Sequence, residues 1–196
     1  MDAGRKTLNS RPSVEQLEKA LEQERYRKSY RHVLRNTFFA LVTVAAIAVL
    51  VVMLWMPVMQ IYGTSMEPTL AEGQIVVSLK GSELEQGDIA AFYYGNKLLV
   101  KRYIAGPGDW VNIDREGNIF VNGEYLEEEY LTAKALGECN IELPYQVPEG
   151  KYFLVGDHRA TSLDSRNTAV GCVDGEQIAG RIVFCVWPFD SFGAID

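Results

Sequence analysis

Ser65 and Lys101 are the residues of this chain whose types and settings suit nucleophilic chemistry. Ser65 lies in the run Tyr62-Gly63-Thr64-Ser65-Met66-Glu67-Pro68-Thr69-Leu70, directly after one long hydrophobic segment. A serine hydroxyl is a weak nucleophile at neutral pH and needs a base within hydrogen-bond reach. Lys101 lies in Leu98-Leu99-Val100-Lys101-Arg102-Tyr103-Ile104, where strand alternation sends Leu99, Lys101 and Tyr103 to one face and Val100, Arg102 and Ile104 to the other. A lysine between two large apolar neighbours is a candidate for desolvation. Burial disfavours the ammonium and lowers its pKa from about 10.4, and a neutral amine can take a proton from a serine hydroxyl. On spacing alone, a surface lysine snorkelling along the sheet is the simpler reading. The residues around it decide otherwise.

Positioning such a pair falls to two kinds of element. Residues 38–59 are about 22 positions without a charge, close to the roughly 20 that a helix needs to cross a bilayer core. A secretory signal peptide would have a shorter apolar core nearer the N-terminus. Arg25, Arg27, Lys28, Arg31 and Arg35 precede the segment, and Lys80 is the first basic residue after it. The positive-inside rule therefore predicts a cytoplasmic N-terminus and an extracytoplasmic 60–196, with Trp55 and Tyr62 near the outer interface and Pro57 tolerated in the last turn. The predicted organisation is a basic helical arm over 1–36, a membrane helix over 37–59 and one catalytic domain over 60–196. Within the arm, a helix over 13–36 is opened by Pro12 and Ser13, with Gln16 as capping-box partner. Val14, Leu17 and Leu21 form too short a stripe for a coiled coil, which leaves a solvated or membrane-skimming basic helix.

The remainder is punctuated like a β protein. Short apolar stretches at 75–77, 89–94, 98–104, 110–113, 119–121, 152–155 and 181–186 are separated by Gly, Pro, Asn and Asp. Asn122-Gly123 is a two-residue hairpin signal, and Pro148-Glu149-Gly150 is a turn before the strand at Tyr152. Segment 127–147 is acidic and weakly patterned, and reads as a loop or insertion. The fold class is thus mainly β: a single N-terminal transmembrane helix followed by an antiparallel sheet or barrel-like domain. From Gln60 onward the chain has ten basic and twenty-one acidic residues, a net of −11. That balance excludes nucleic acid as a partner class. Cys139, Cys172 and Cys185 match no zinc or thioredoxin spacing and read as structural.

Four blocks then occur in one order: Gly63 to Leu70, Gly87-Asp88-Ile89-Ala90-Ala91-Phe92, Lys101 to Asp109, and Val155-Gly156-Asp157-His158-Arg159-Ala160-Thr161-Ser162-Leu163-Asp164-Ser165-Arg166. Together they resemble the type I signal peptidases over residues 38 to about 188, most closely the Gram-positive bacterial branch. The resemblance implies a membrane-bound serine endopeptidase that removes N-terminal signal peptides from exported preproteins, with no cofactor and no metal. It implies Ser65 as nucleophile and Lys101 as neutral general base, Ser162 as the residue that orients the lysine, and Asp164 and Arg166 as structural support for the site. Asp157 and Arg159 also match the motif, but the sequence assigns neither a catalytic step. The Ser65 backbone N–H is the expected oxyanion donor, while Gly63 stands where some members carry a serine that adds a second. His158 stands where many members carry asparagine, which brings a Ser–His mechanism into view beside the intact lysine block.

A substrate held by strand addition would lie along Gln60, Ile61, Tyr62 and Gly63, with Met66 beside them. The implied partners are the signal peptides themselves, the lipid bilayer and the nearby secretion translocon, where tethering raises the effective substrate concentration. An exposed apolar patch flanking Ser65 is expected for an active site that rests on lipid. A catalytically dead β module would lack one of Ser65, Lys101 or Ser162, and a self-cleaving repressor would have a DNA-binding domain and no membrane helix. A specialised relative serving pilin or surface-protein assembly is left open by sequence alone.

Overall fold

The computed structural model describes residues 14–195. The chain divides into two compact units, Met1–Val51 and Val52–Asp196. Helix α1, Val14–Trp55, has 42 residues, about 63 Å at 1.5 Å per residue. Its apolar stretch has a mean hydropathy of 2.8 and none of it is buried in the protein, as a membrane-facing helix requires. From Val14 onward the basic arm and the hydrophobic segment form one unbroken helix. The proposed start at Pro12 and Ser13 lies outside the described residues. At the other end the helix stops at Trp55, short of Met59. Pro57 has no N–H to give and disfavours helical backbone in the residue before it, so the chain turns extended. Val58–Gln60 becomes β1.

The main sheet has eight strands. Besides β1 it contains β2 (Ile75–Leu79), β3 (Ile89–Tyr94), β4 (Lys97–Ala105), β9 (Lys151–Val155), β10 (Val173–Asp174), β11 (Ile178–Trp187) and β12 (Gly193–Ala194). Their order is β1-β2-β11-β3-β4-β9-β10, with β12 on β11, an open path of antiparallel pairs. A smaller sheet, ordered β7-β6-β5-β8, contains β5 (Trp110–Ile113), β6 (Ile119–Val121), β7 (Glu124–Tyr125) and β8 (Tyr145–Gln146). The Asn122-Gly123 hairpin forms as read, with Val121 opposite Glu124 and both turn residues at positive φ, 54° and 86°. The Pro148 turn also forms, Lys151 N–H donating to Pro148 O at 3.1 Å.

Strand β4 positions the site. Along its length it pairs with β3, from Tyr94 opposite Lys97 to Ile89 opposite Arg102. Its other edge meets β9 only from Arg102 onward, where Arg102 lies opposite Val155. The β9-side edge of residues 97–101 is therefore unpaired.

Three apolar clusters hold the domain together. One joins Ile61, Met66 and Leu70 to Val76, Ile89 and Ile182; the second centres on Ile104, Val111, Ile119 and Phe153; the third on Ala90, Phe92, Leu154 and Val173. Neighbouring residues of one strand enter different clusters, as Phe153 and Leu154 do, so the central strands are covered on both faces. All three cysteines are free thiols. Segment 127–147 is mostly irregular, as expected of a loop, but it includes β8 and buries Glu128. Truncating Phe153, which is fully buried, should cost about 3–5 kcal/mol. A urea titration of Phe153→Ala in detergent, followed by tryptophan fluorescence, would measure the loss.

Candidate active site

Two buried side chains leave adjacent positions of β4 and meet the same loop. Lys101 is 4% exposed and its Nζ donates to Ser65 Oγ at 2.6 Å. Arg102 donates from Nη2 to Thr69 Oγ1 at 3.2 Å. The loop is pinned between them because its apolar residues are anchors: Ile61, Met66 and Leu70 are buried, while Thr64 is exposed and Ser65 half-buried. Leu70 N–H closes on Met66 O at 2.9 Å, and Gly73 N–H returns to Ile61 O at 2.9 Å. The Ser65 N–H takes part in none of the loop's backbone hydrogen bonds, so it is free to donate.

Burial brings the Lys101 amine down from 10.5 to about 8. Asp164 and Asp157 pull it back towards the ammonium, and Arg166 opposes them. Desolvation is the largest of these effects, and each neighbouring carboxylate is itself bonded to an arginine. Asp157 receives Arg102 Nε at 3.0 Å and Nη2 at 2.8 Å, together with Thr69 Oγ1 at 2.6 Å. Asp164 receives Arg166 Nε and Nη2, both at 2.8 Å, and the Gly156 N–H at 3.0 Å. Burial alone would raise the Asp164 pKa, but these bonds to Arg166 hold it below the ordinary carboxylate range.

A third buried pair completes the frame. Arg159 binds Glu128 through Nη1 at 3.0 Å and through a second, shorter bond from Nη2. Tyr130 donates to Glu128 Oε1 at 2.8 Å, and the Arg102 guanidinium lies 3.8 Å over the Tyr130 ring. Arg166 also donates to Leu136 O at 2.8 Å. Segment 127–147 thus packs against the site and supplies its third buried carboxylate, Glu128. Acidic composition without apolar periodicity gave no signal for this. Glu128 and Tyr130 are therefore silent in the sequence, while Thr69 and Arg102 stand inside the recognised blocks but gain their roles only from contacts across the fold.

Ser162 is buried, and its N–H donates to His158 O at 3.0 Å. Its Oγ lies beside Asp164, whose ionised form it favours, but makes no hydrogen bond of good geometry with that carboxylate or with Lys101. Gly156 explains how closely these parts approach. A methyl group there would strike Ser162 Oγ and would sit 2.6 Å from the Ser65 carbonyl. His158 donates its backbone N–H to Ser65 O at 3.0 Å, while its ring Nδ1 has no partner. The contact a Ser–His pair needs is absent among the described residues. Gly63 has φ +82°, a left-handed conformation that serine adopts only with strain. Gln60, Ile61, Tyr62, Gly63 and Met66 line a mainly apolar groove of about 530 Å3 that reaches Ser65 and Lys101.

A serine hydroxyl held against a desolvated lysine amine, on an antiparallel β domain, is an arrangement suited to serine hydrolase chemistry. The sequence matches the family described as signal peptidase, peptidase S26, over residues 34–187, and the chain belongs to that family. It is 37% identical over 150 residues to "Signal peptidase I" of Bacillus licheniformis, covering 68% of this chain and 78% of that protein. It is 36% identical over 153 residues to "Signal peptidase IB" of Staphylococcus aureus strain COL, covering 67% and 78%. A crystal structure of a signal peptidase I from Enterococcus faecalis V583 aligns with TM-score 0.41 and 30% identity, over 51% of this chain and 97% of that one. The chain is accordingly a membrane-anchored serine peptidase of the signal peptidase I type, related to Gram-positive enzymes.

Gly156→Ala should push the Ser162 loop away from Ser65 and lower kcat/KM by about 100-fold. The comparison is made on protein whose near-ultraviolet circular dichroism matches the wild type. Unchanged kinetics would mean that the close approach at Gly156 does not position the site.

Proposed function

We propose that Ser65 and Lys101 form the catalytic dyad that removes signal peptides from exported preproteins, and that the short contact between Lys101 Nζ and Ser65 Oγ carries this reading. The amine, neutral in part near pH 8, takes the hydroxyl proton as Oγ attacks the scissile carbonyl. The free Ser65 N–H faces the developing oxyanion. The ammonium then returns its proton to the leaving amine, and the neutral amine activates the water that hydrolyses the acyl-enzyme. Ser162 orients the lysine: its Oγ is buried beside the dyad and has no bond of its own to give up. Asp164 and Arg166 hold the loop that presents it.

The unpaired edge of β4 at 97–101 and the chain from Gln60 to Gly63 flank one groove. An extended segment can pair along that edge, and alternate side chains can enter the apolar floor. The family's preference for small residues one and three positions before the cut fits shallow pockets of this kind. An N-terminus in the cytoplasm and a catalytic domain outside follow from the basic residues that precede the apolar stretch. Exposed aromatic side chains support contact of the domain with lipid: Tyr62 is 79% exposed, and Trp187, Phe189 and Phe192 form a second exposed group. Register connects the two groups, since Gln60 and Trp187 both lie opposite Ile75. Tethering beside the translocon would present each cleavage site at high local concentration.

The decisive assay is cleavage of a purified preprotein in detergent, with the new N-terminus read by mass spectrometry. Lys101→Ala should lose about 100- to 10,000-fold in kcat/KM, and Ser65→Ala should lose turnover altogether. Cleavage by Lys101→Ala at the wild-type rate would overturn the dyad.

The amine must be neutral to act, so activity should rise with pH. For the wild type, kcat/KM should fall about tenfold per unit below pH 8 and level off above it. A profile flat from pH 6 to 9 would contradict a lysine base.

A further inference from the structure

The loop that carries Ser65 separates two depressions. The apolar groove lies on the side of residues 59–63 and ends at Lys101. A second hollow, about 380 Å3, is bounded by Glu67, Pro68, Ala71, Thr132 and His158. It borders the nucleophile: His158 donates its N–H to the Ser65 carbonyl at 3.0 Å, and Glu67 follows Ser65 by two residues, with its own N–H on Thr64 O at 3.1 Å.

The two depressions differ in chemistry. No lysine or arginine borders the second one. Its formal charge is that of Glu67, a half-buried carboxylate that joins none of the ion pairs among the described residues. Its other polar side chains are Thr132 and His158, and the His158 Nδ1 is buried without a partner. Each buried carboxylate around the dyad, Asp157, Glu128 and Asp164, has an arginine. Glu67 does not.

A peptide attacked at Ser65 has two arms. The arm before the scissile carbonyl is the one suited to the apolar groove beside Lys101, and the arm after it must leave across the serine towards the opposite side. We propose that the hollow at Glu67 and His158 receives the first residues of the mature protein, and that Glu67 makes it favour cationic or neutral polar side chains there over acidic ones. This rests on Ser65 being the nucleophile. Partly exposed charge pairs shift an equilibrium by up to about fivefold, so attraction of lysine and repulsion of glutamate together separate the two by about tenfold.

The test uses the full chain in detergent and preproteins that differ only in the two residues after the cut, both Lys, both Gln or both Glu. Wild type should rank them Lys, Gln, Glu in kcat/KM, with the outer two about tenfold apart at low salt. Glu67→Gln should bring the Lys-to-Glu ratio to within about twofold, and Glu67→Lys should invert it. Glu72→Gln, an exposed change outside the hollow, should keep the wild-type ratio. The same ratio in wild type and Glu67→Gln, or an equal fall in Glu72→Gln, overturns the proposal while the dyad stands. Failure of wild type to cut any member of the series would overturn the dyad and this site with it.

Discussion

Removing one lysine amine from water is the constraint on which this structure depends. An ammonium loses hydration as it is buried, and at Lys101 that loss is large enough to bring the amine within reach of neutral pH. The difficulty lies in the surroundings. A strand crossing the middle of a sheet, beside a loop rich in carboxylates, is a place where a lysine would ordinarily stay charged. Asp157 and Asp164 both favour the ammonium. Each is held by a two-point bond to an arginine, which sets a positive charge against its own, and burial outweighs what both carboxylates contribute.

The arginines serve the chemistry by occupying the carboxylates. Buried ion pairs contribute little net stability, because desolvation offsets most of their attraction, but removing one partner strands a charge and costs about 3–5 kcal/mol. Such pairs therefore fix geometry more than they stabilise it. Arg102 ties β4 to the 156–166 loop and to Thr69 on the serine loop, while Arg159 and Arg166 draw segment 127–147 over the same centre. Four chain segments distant in sequence are thus held to a common frame. Gly156 provides the clearance for their closest approach.

Much of this was legible in the sequence, for identifiable reasons. Strands announced themselves through short apolar runs between turn residues, and Asn122-Gly123 through a backbone that few other dipeptides adopt. The meeting of Ser65 with Lys101 was legible because serine and lysine are chemically restricted types set in distinctive blocks. Glu128 and Tyr130 were not, since their importance comes from contacts across the fold and their local sequence has neither period nor motif. Pro57 carried a boundary signal: allowing it in the last turn extended the helix to Met59, whereas its missing N–H ends the helix and starts a strand. The resemblance implied that Ser162 orients the lysine. In the structure the residue is buried beside Asp164, with its hydroxyl unbonded.

The half-paired state of β4 also bears on how long a bound chain stays. Five residues, 97–101, present a free edge before β9 takes it over. Each ladder bond is worth only about 0.5–1.5 kcal/mol net. So short an edge aligns a passing segment without gripping it, and the released fragment can peel away before the next arrives. A longer edge would hold each product like an added strand and expose a template on which other copies of the chain could associate. Lys97, at the open end, places a charge where such association would begin. For the proposed peptidase, the brevity of that edge favours quick release over a lasting added strand.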